Sequence, residues 1–159
     1  MSKHVSETPA TAALKALNIT YTEHVYAYVD RGGTAQSAAQ LGVAEHAVIK
    51  TLVMQDEAAK PLIILMHGDC SVSTKNLARA IGCKKVEPCT PEVAQRHTGY
   101  KVGGTSPFGT KKRMPIYAER SIFDLPSVYI NGGQRGYLVQ LAPSALNLID
   151  AVAVDCANA

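Results

Sequence analysis

Tryptophan is absent from this 159-residue chain and phenylalanine occurs only twice, so seven tyrosines supply most of the aromatic surface for a core or a cleft. No apolar run approaches the roughly 18 residues that a membrane-crossing helix needs, which excludes a helical membrane span. The four cysteines, Cys70, Cys83, Cys89 and Cys156, form no Cys-x-x-Cys pair and have no histidines at zinc-finger spacing. That pattern argues against a zinc ribbon or a dithiol redox centre; reduced thiols, no metal and no cofactor are the expectation. Net charge is only +3, too little to coat nucleic acid but enough for a local grip on a few phosphates. Residues 1–9 lack the apolar stretch of a secretory signal, and a cytoplasmic protein is expected. Repeats, linkers and low-complexity tracts are missing as well, so residues 1–159 read as one domain.

What the chain does have is a glycine-rich segment, residues 99–113, in which Gly99, Gly103, Gly104, Pro107 and Gly109 precede Lys111, Lys112 and Arg113. Glycine lets main-chain N–H groups approach a ligand with no Cβ in the way, and the cations supply charge for an anion. A phosphate-binding nucleotide loop is excluded. Gly104 and Gly109 have the correct gap, but Thr110 stands where that motif needs lysine, and no G-x-G-x-x-G pattern occurs.

Thr8 and Pro9 cap a first helix ending near Asn18, and residues 20–26 alternate as a strand. Thr34 is placed to cap a helix that stops at Gly42. Residues 48–54 and 61–66 are nearly continuous apolar runs around a polar turn, the pattern of a buried hairpin. Ser73 or Thr74 opens a helix closed by Gly82, residues 84–86 form a brief strand, and Thr90-Pro91 opens a helix reaching Thr98. Strands follow at residues 115–118, 127–130 and 137–141, with residues 131–136 as a turn, before a closing helix over residues 142–149. Frequent hairpins among interleaved helices predict an α+β fold with a mixed sheet.

Lys50 is the sharpest single residue, because it interrupts an apolar strand whose two faces are both largely apolar. Either it blunts a sheet edge and reaches water, or it stands at the floor of a cleft and grips an ester, carbonyl or phosphate oxygen. No glycine frame of a nucleophile elbow surrounds Ser71, Ser73 or Ser106, and no spacing selects a base among His24, His46, His67 and His97. Asn131-Gly132-Gly133 reads as a tight hairpin or as part of the cleft.

Three segments together, Val48-Ile49-Lys50-Thr51-Leu52-Val53, residues 99–113 and Asn131-Gly132-Gly133-Gln134-Arg135-Gly136, resemble the YbaK/EbsC family of aminoacyl-tRNA deacylases. The resemblance implies a single-domain α+β fold with a strongly curved or barrel-like mixed sheet and flanking helices, like the editing domain of prolyl-tRNA synthetase. It points to the branch that removes cysteine from Cys-tRNA(Pro), with the substrate's own thiol attacking the ester or, as the alternative route, water attacking it directly. By the same similarity Lys50 is the essential lysine and Gly103 and Gly104 surround the aminoacyl group. Tyr26, Thr51, Ser106, Asn131, Gly132 and Gly133 are implied on the substrate side. Lys111, Lys112 and Arg113 are assigned to acceptor-end phosphates. Asn131 departs from a serine at the start of that turn, and Gln134 from a lysine. The implied partners are aminoacyl-tRNA and, transiently, prolyl-tRNA synthetase, with no DNA and no membrane. A sister deacylase for another small aminoacyl group such as alanine, and a non-catalytic tRNA or synthetase adaptor, are the alternatives.

Overall fold

Residues 7–158 are described by the computed structural model; residues 1–6, which carry most of the amino-terminal reading, lie outside them, as does residue 159. Thr8 and Thr11 cap α1 (Pro9–Ala16) reciprocally, each hydroxyl accepting the other's N–H. Then come β1 (Thr22–Val25), α2 (Gly33–Leu41), a 3-10 turn (Glu45–Ala47) and the hairpin of β2 (Val48–Asp56) and β3 (Pro61–His67). After β4 (Ser71–Val72), Ser73 caps α3 (Thr74–Ile81). β5 (Val86–Pro88) leads to α4 (Pro91–Thr98), capped by Thr90 and ended by Gly99 at φ 82°. β6 (Ile116–Glu119), β7 (Val128–Gln134), β8 (Tyr137–Leu141), β9 (Val152–Val154) and β10 (Ala157–Asn158) complete the strands.

The main sheet runs β1-β8-β7-β2-β3-β6-β9, with β5 also paired to β2; β4 and β10 form a separate ribbon. β2 with β7, β3 with β6 and β6 with β9 are parallel, whereas the hairpins are antiparallel, so the sheet is mixed and the fold is α+β as expected. β3 is buried on both faces: Ile63 and Leu65 join a core with α1, while Leu62, Ile64 and Met66 pack toward α3. A strand covered on both sides reads as an unbroken apolar run. Among the described residues no helix is long and apolar enough to cross a membrane.

Four local expectations are corrected. Thr34 does not cap α2; its hydroxyl lies 2.7 Å from Glu45 Oε2 and 3.1 Å from the Gly68 carbonyl, and the helix starts at Gly33. The strand expected at residues 84–86 begins at Val86, because the Glu57 carboxylate takes the N–H groups of Lys84 and Lys85. The turn expected over residues 131–136 shrinks to Arg135-Gly136: Asn131 Oδ1 accepts from Gly133 and Gln134, and β7 continues irregularly through them. The closing helix is a 3-10 helix, Pro143–Ile149.

Glu119, only 6% exposed, anchors the carboxyl-terminal segment. Burial pushes its carboxyl up, but hydrogen bonds from the Ser121 hydroxyl and N–H and from the N–H groups of Cys156 and Ala157 outweigh that and hold it low. A lowered carboxyl contributes stability that is complete above its ordinary value of 4.5 and disappears as pH falls through the lowered one. Glu119→Gln is expected to cost about 1–3 kcal/mol in urea unfolding at neutral pH. The gap between variant and parent should close as the solution is acidified below 4.5; a gap independent of pH would refute the assignment.

Candidate functional site

β2 is bonded along one side to β3, from Ile49 opposite His67 to Gln55 opposite Pro61. On its other side β7 reaches only Val48 and Ile49, and β5 only Met54, Gln55 and Asp56. Residues 50–53 therefore form an open stretch of strand edge with no strand partner on that side among the described residues. Gly68 donates to the Val48 carbonyl and Asp56 to the Lys60 carbonyl across the hairpin. Because bonded positions alternate in an antiparallel pair, the even-numbered residues of β2 bond to β3 and the odd ones turn their main-chain groups outward. Val53 O is taken by the Cys89 N–H at 3.1 Å. The N–H and C=O of Thr51 are left facing the opening.

A cavity of about 460 Å³ runs along this edge. Lys50 and Thr51, adjacent on β2 and therefore on its opposite faces, both line it, with Tyr26, Thr34, Ser37, Cys89, Ala94 and Val102. Gly103, Thr105 and Asn131 also line it. Lys50 Nζ donates to the Cys70 carbonyl at 2.5 Å, and an ammonium has two further donors to offer. Thr51 Oγ1 is buried without a hydrogen-bond partner among the described residues. An orphaned hydroxyl costs about 1–3 kcal/mol, which a bound polar ligand would recover. Burial raises the Tyr26 hydroxyl, which keeps it a neutral donor.

The glycine-rich segment is tied to the β7–β8 hairpin. Asn131 Nδ2 donates to the Gly103 carbonyl at 3.1 Å, Arg135 Nε donates to Val102 O at 2.8 Å, and the Arg135 guanidinium lies 5.1 Å over the Tyr28 ring. Gly103 has φ +86°, and an added Cβ would stand 2.6 Å from the Tyr28 hydroxyl, so any other residue would strain the backbone and displace the Tyr28 ring. Gly104 is buried and its N–H is committed to the Lys101 carbonyl at 2.8 Å. Gly103 is thus the member of the pair that meets the cavity, and its N–H has no acceptor among the described residues.

Several residues singled out from the sequence lie elsewhere. Ser106 is fully buried and its hydroxyl accepts the Phe108 N–H at 3.2 Å. Gly132 lies against the Tyr137 ring, with its carbonyl accepting from Thr8, and Gly133 lies against Tyr100 and Thr8. The basic run divides. The N–H groups of Lys111 and Lys112 bond to the Thr98 and His97 carbonyls, placing both lysines at the carboxyl end of α4 near Arg96, whereas Arg113 turns to Asp150 at 3.5 Å. Cys89 and the Thr51 main chain were not singled out as site groups, and no local pattern marks them: they meet through the pairing of distant strands.

The aminoacyl-tRNA editing domain family matches residues 31–148, a span that takes in the whole cavity except Tyr26. This chain belongs to the aminoacyl-tRNA editing family. It is 31% identical over 145 residues, 91% of its own length and 88% of the relative's, to EbsC of Enterococcus faecalis, which is named provisionally as a Cys-tRNA(Pro)/Cys-tRNA(Cys) deacylase. The proline–tRNA ligase of Brachyspira hyodysenteriae is 28% identical over 86 residues, 54% of this chain but only 15% of the ligase. A solved structure described provisionally as a trans-editing enzyme for prolyl-tRNA synthetase superposes with a TM-score of 0.82 at 21% identity, covering 95% of this chain and 96% of the other. The editing fold is thus shared with that enzyme, and aminoacyl-tRNA is the substrate class of the family.

Proposed function

We propose that this editing domain is a trans-acting deacylase that removes cysteine from Cys-tRNA(Pro), in the cytoplasm and transiently beside prolyl-tRNA synthetase. The observation that carries the reading is the unpartnered Thr51 hydroxyl beside an open strand edge, with Lys50 on the other face. A cavity of about 460 Å³ accommodates an aminoacyl group and the terminal ribose that bears it. Laid along β2, the ester carbonyl meets the Thr51 N–H, the Gly103 N–H and the free donors of Lys50, an arrangement suited to an oxyanion. Gly104 has no such role while its N–H serves Lys101. Lys111 and Lys112, with Arg96, are the cations available to acceptor-end phosphates.

No protein nucleophile is needed. Cys89 lines the cavity, but burial raises its thiol, which suits it poorly to attack. A substrate thiol has an ordinary pKa of about 8.5, and its attack is intramolecular, with no second molecule to bring together. The sulfur bonds to the ester carbon, the bond from that carbon to the ribose oxygen breaks, and the thiol proton ends on the ribose oxygen. Free tRNA and a cyclic thiolactone leave. Pocket contacts alone separate small side chains by roughly 10- to 200-fold. Measured on one tRNA(Pro), cysteine should be released faster than alanine or serine by more than that range. Equal rates would overturn the thiol-assisted route, and no release of any of the three would overturn the deacylase reading.

A further inference from the structure

Beyond the cavity, on the far side of Lys50, three metal-ligating groups converge. His46 comes from the 3-10 turn ahead of β2, and Asp69 and Cys70 from the turn between β3 and β4. His46 Nδ1 is 2.8 Å from Asp69 Oδ1, Cys70 Sγ is 3.5 Å from the same oxygen, and all three donor atoms lie within 4.8 Å of one another. The 22 residues between His46 and Asp69 hide this grouping from any spacing rule. We infer that His46, Asp69 and Cys70 form a binding site for one divalent cation of the zinc class, linked to Lys50 through the Cys70 main chain.

The donor set selects the ion. Imidazole nitrogen, carboxylate oxygen and thiolate sulfur together suit zinc or cobalt and disfavour magnesium or calcium. Bonds of about 2.0–2.3 Å in a tetrahedron put neighbouring donors roughly 3.3–3.8 Å apart; the two contacts to Asp69 lie near that range, and the His46–Cys70 pair, within 4.8 Å, reaches it by side-chain rotation. Three protein ligands leave a fourth position for water. The His46 and Asp69 side chains are 45% and 43% exposed, which leaves an ion a path in.

The scaffold behind the ligands is stiff. The His46 ring stacks on His67 with centroids 3.7 Å apart and planes 6° from parallel. His67 is fully buried; its Nδ1 bonds to the His46 carbonyl at 2.7 Å and its Nε2 pairs with Ser121 Oγ at 2.8 Å. Ser121 in turn is held by Glu119. Such outer contacts fix the orientation of a ligating imidazole before the ion arrives. Cys70 gives its sulfur to the site and its carbonyl to Lys50 Nζ. An ion on that sulfur acts on the turn and therefore on the lysine, so occupancy changes the rate of deacylation; this last consequence rests on the proposed function, whereas binding itself does not.

Cobalt titration of the full reduced chain tests the site directly. One equivalent should produce tetrahedral visible bands and a thiolate-to-cobalt charge-transfer band, both displaced by zinc. Cys70→Ser should abolish the charge-transfer band, and His46→Gln and Asp69→Asn should each weaken binding at least about tenfold. Cys83→Ser and Cys89→Ser should leave the band intact. A missing band at one equivalent, or one that survives in Cys70→Ser, overturns the site. In a parallel assay zinc should change the rate of Cys-tRNA(Pro) release by the parent but not by His46→Gln, and the same response in both would overturn the link to Lys50 alone.

Discussion

Lys50→Ala is expected to lower the release of cysteine from Cys-tRNA(Pro) by about 100- to 1,000-fold, the usual loss when one preorganised donor to a developing oxyanion is removed. Affinity for the tRNA should stay largely intact, because binding is dominated by phosphate contacts and the lysines at the end of α4 are untouched. The position of Lys50 decides its role more than its charge does. Lys50 lies in the middle of β2, half-buried, held at one donor by the Cys70 carbonyl and lining the same cavity as Gly103. A lysine that merely protects a sheet edge would leave the rate unchanged on removal. Single-turnover deacylation together with filter binding separates the outcomes: full activity in Lys50→Ala overturns the catalytic role, and an adaptor would show no turnover even in the parent. Lys50→Met retains the aliphatic stem, so its loss of rate should match that of alanine while packing is kept.

The parts of this fold legible in the sequence are those decided locally. Thr8-Pro9, Ser73 and Thr90-Pro91 start α1, α3 and α4 because each hydroxyl meets an N–H three residues on, and Gly42, Gly82 and Gly99 end α2, α3 and α4 by adopting positive φ. The apolar runs of β2 and β3 declared a hairpin for the same reason: the information lies within twenty residues. Thr34 and Lys84-Lys85 misled because their groups bond to Glu45, Gly68 and Glu57, partners set by tertiary packing. The strands that escaped notice, β4, β9 and β10, are two or three residues long and carry too little pattern to read. Within the site, Lys50 announced itself as a charge in an apolar strand. The opening beside it did not, since it exists only because β7 leaves β2 after Ile49 and β5 joins at Met54. The same long-range pairing explains why Gly103 and Gly104, adjacent and alike in sequence, end with different duties: one N–H lies at the cavity and the other is spent on a turn.

Thr51→Val should move stability and activity in opposite directions. The Thr51 hydroxyl is buried and has no hydrogen-bond partner among the described residues, so exchanging it for a methyl of nearly the same volume removes a desolvation cost without opening a void. The free protein should gain about 1 kcal/mol in chemical unfolding. Once an aminoacyl ester lies along β2, rotation about the Thr51 χ1 bond turns the same hydroxyl to the substrate, and its loss should lower kcat/KM for Cys-tRNA(Pro) by about tenfold, equivalent to about 1.4 kcal/mol. The main-chain N–H of residue 51 is retained in the variant, so the oxyanion contact persists and the residual rate should still exceed that of Lys50→Ala. Opposite signs matter because a purely structural threonine cannot produce them. If the hydroxyl served the fold, valine would cost stability and the rate would follow the folded fraction; a destabilised variant with unchanged kcat/KM per folded molecule would remove Thr51 from the substrate side. A stabilised but slow enzyme identifies a polar group kept at a cost to the fold because the bound ester needs it.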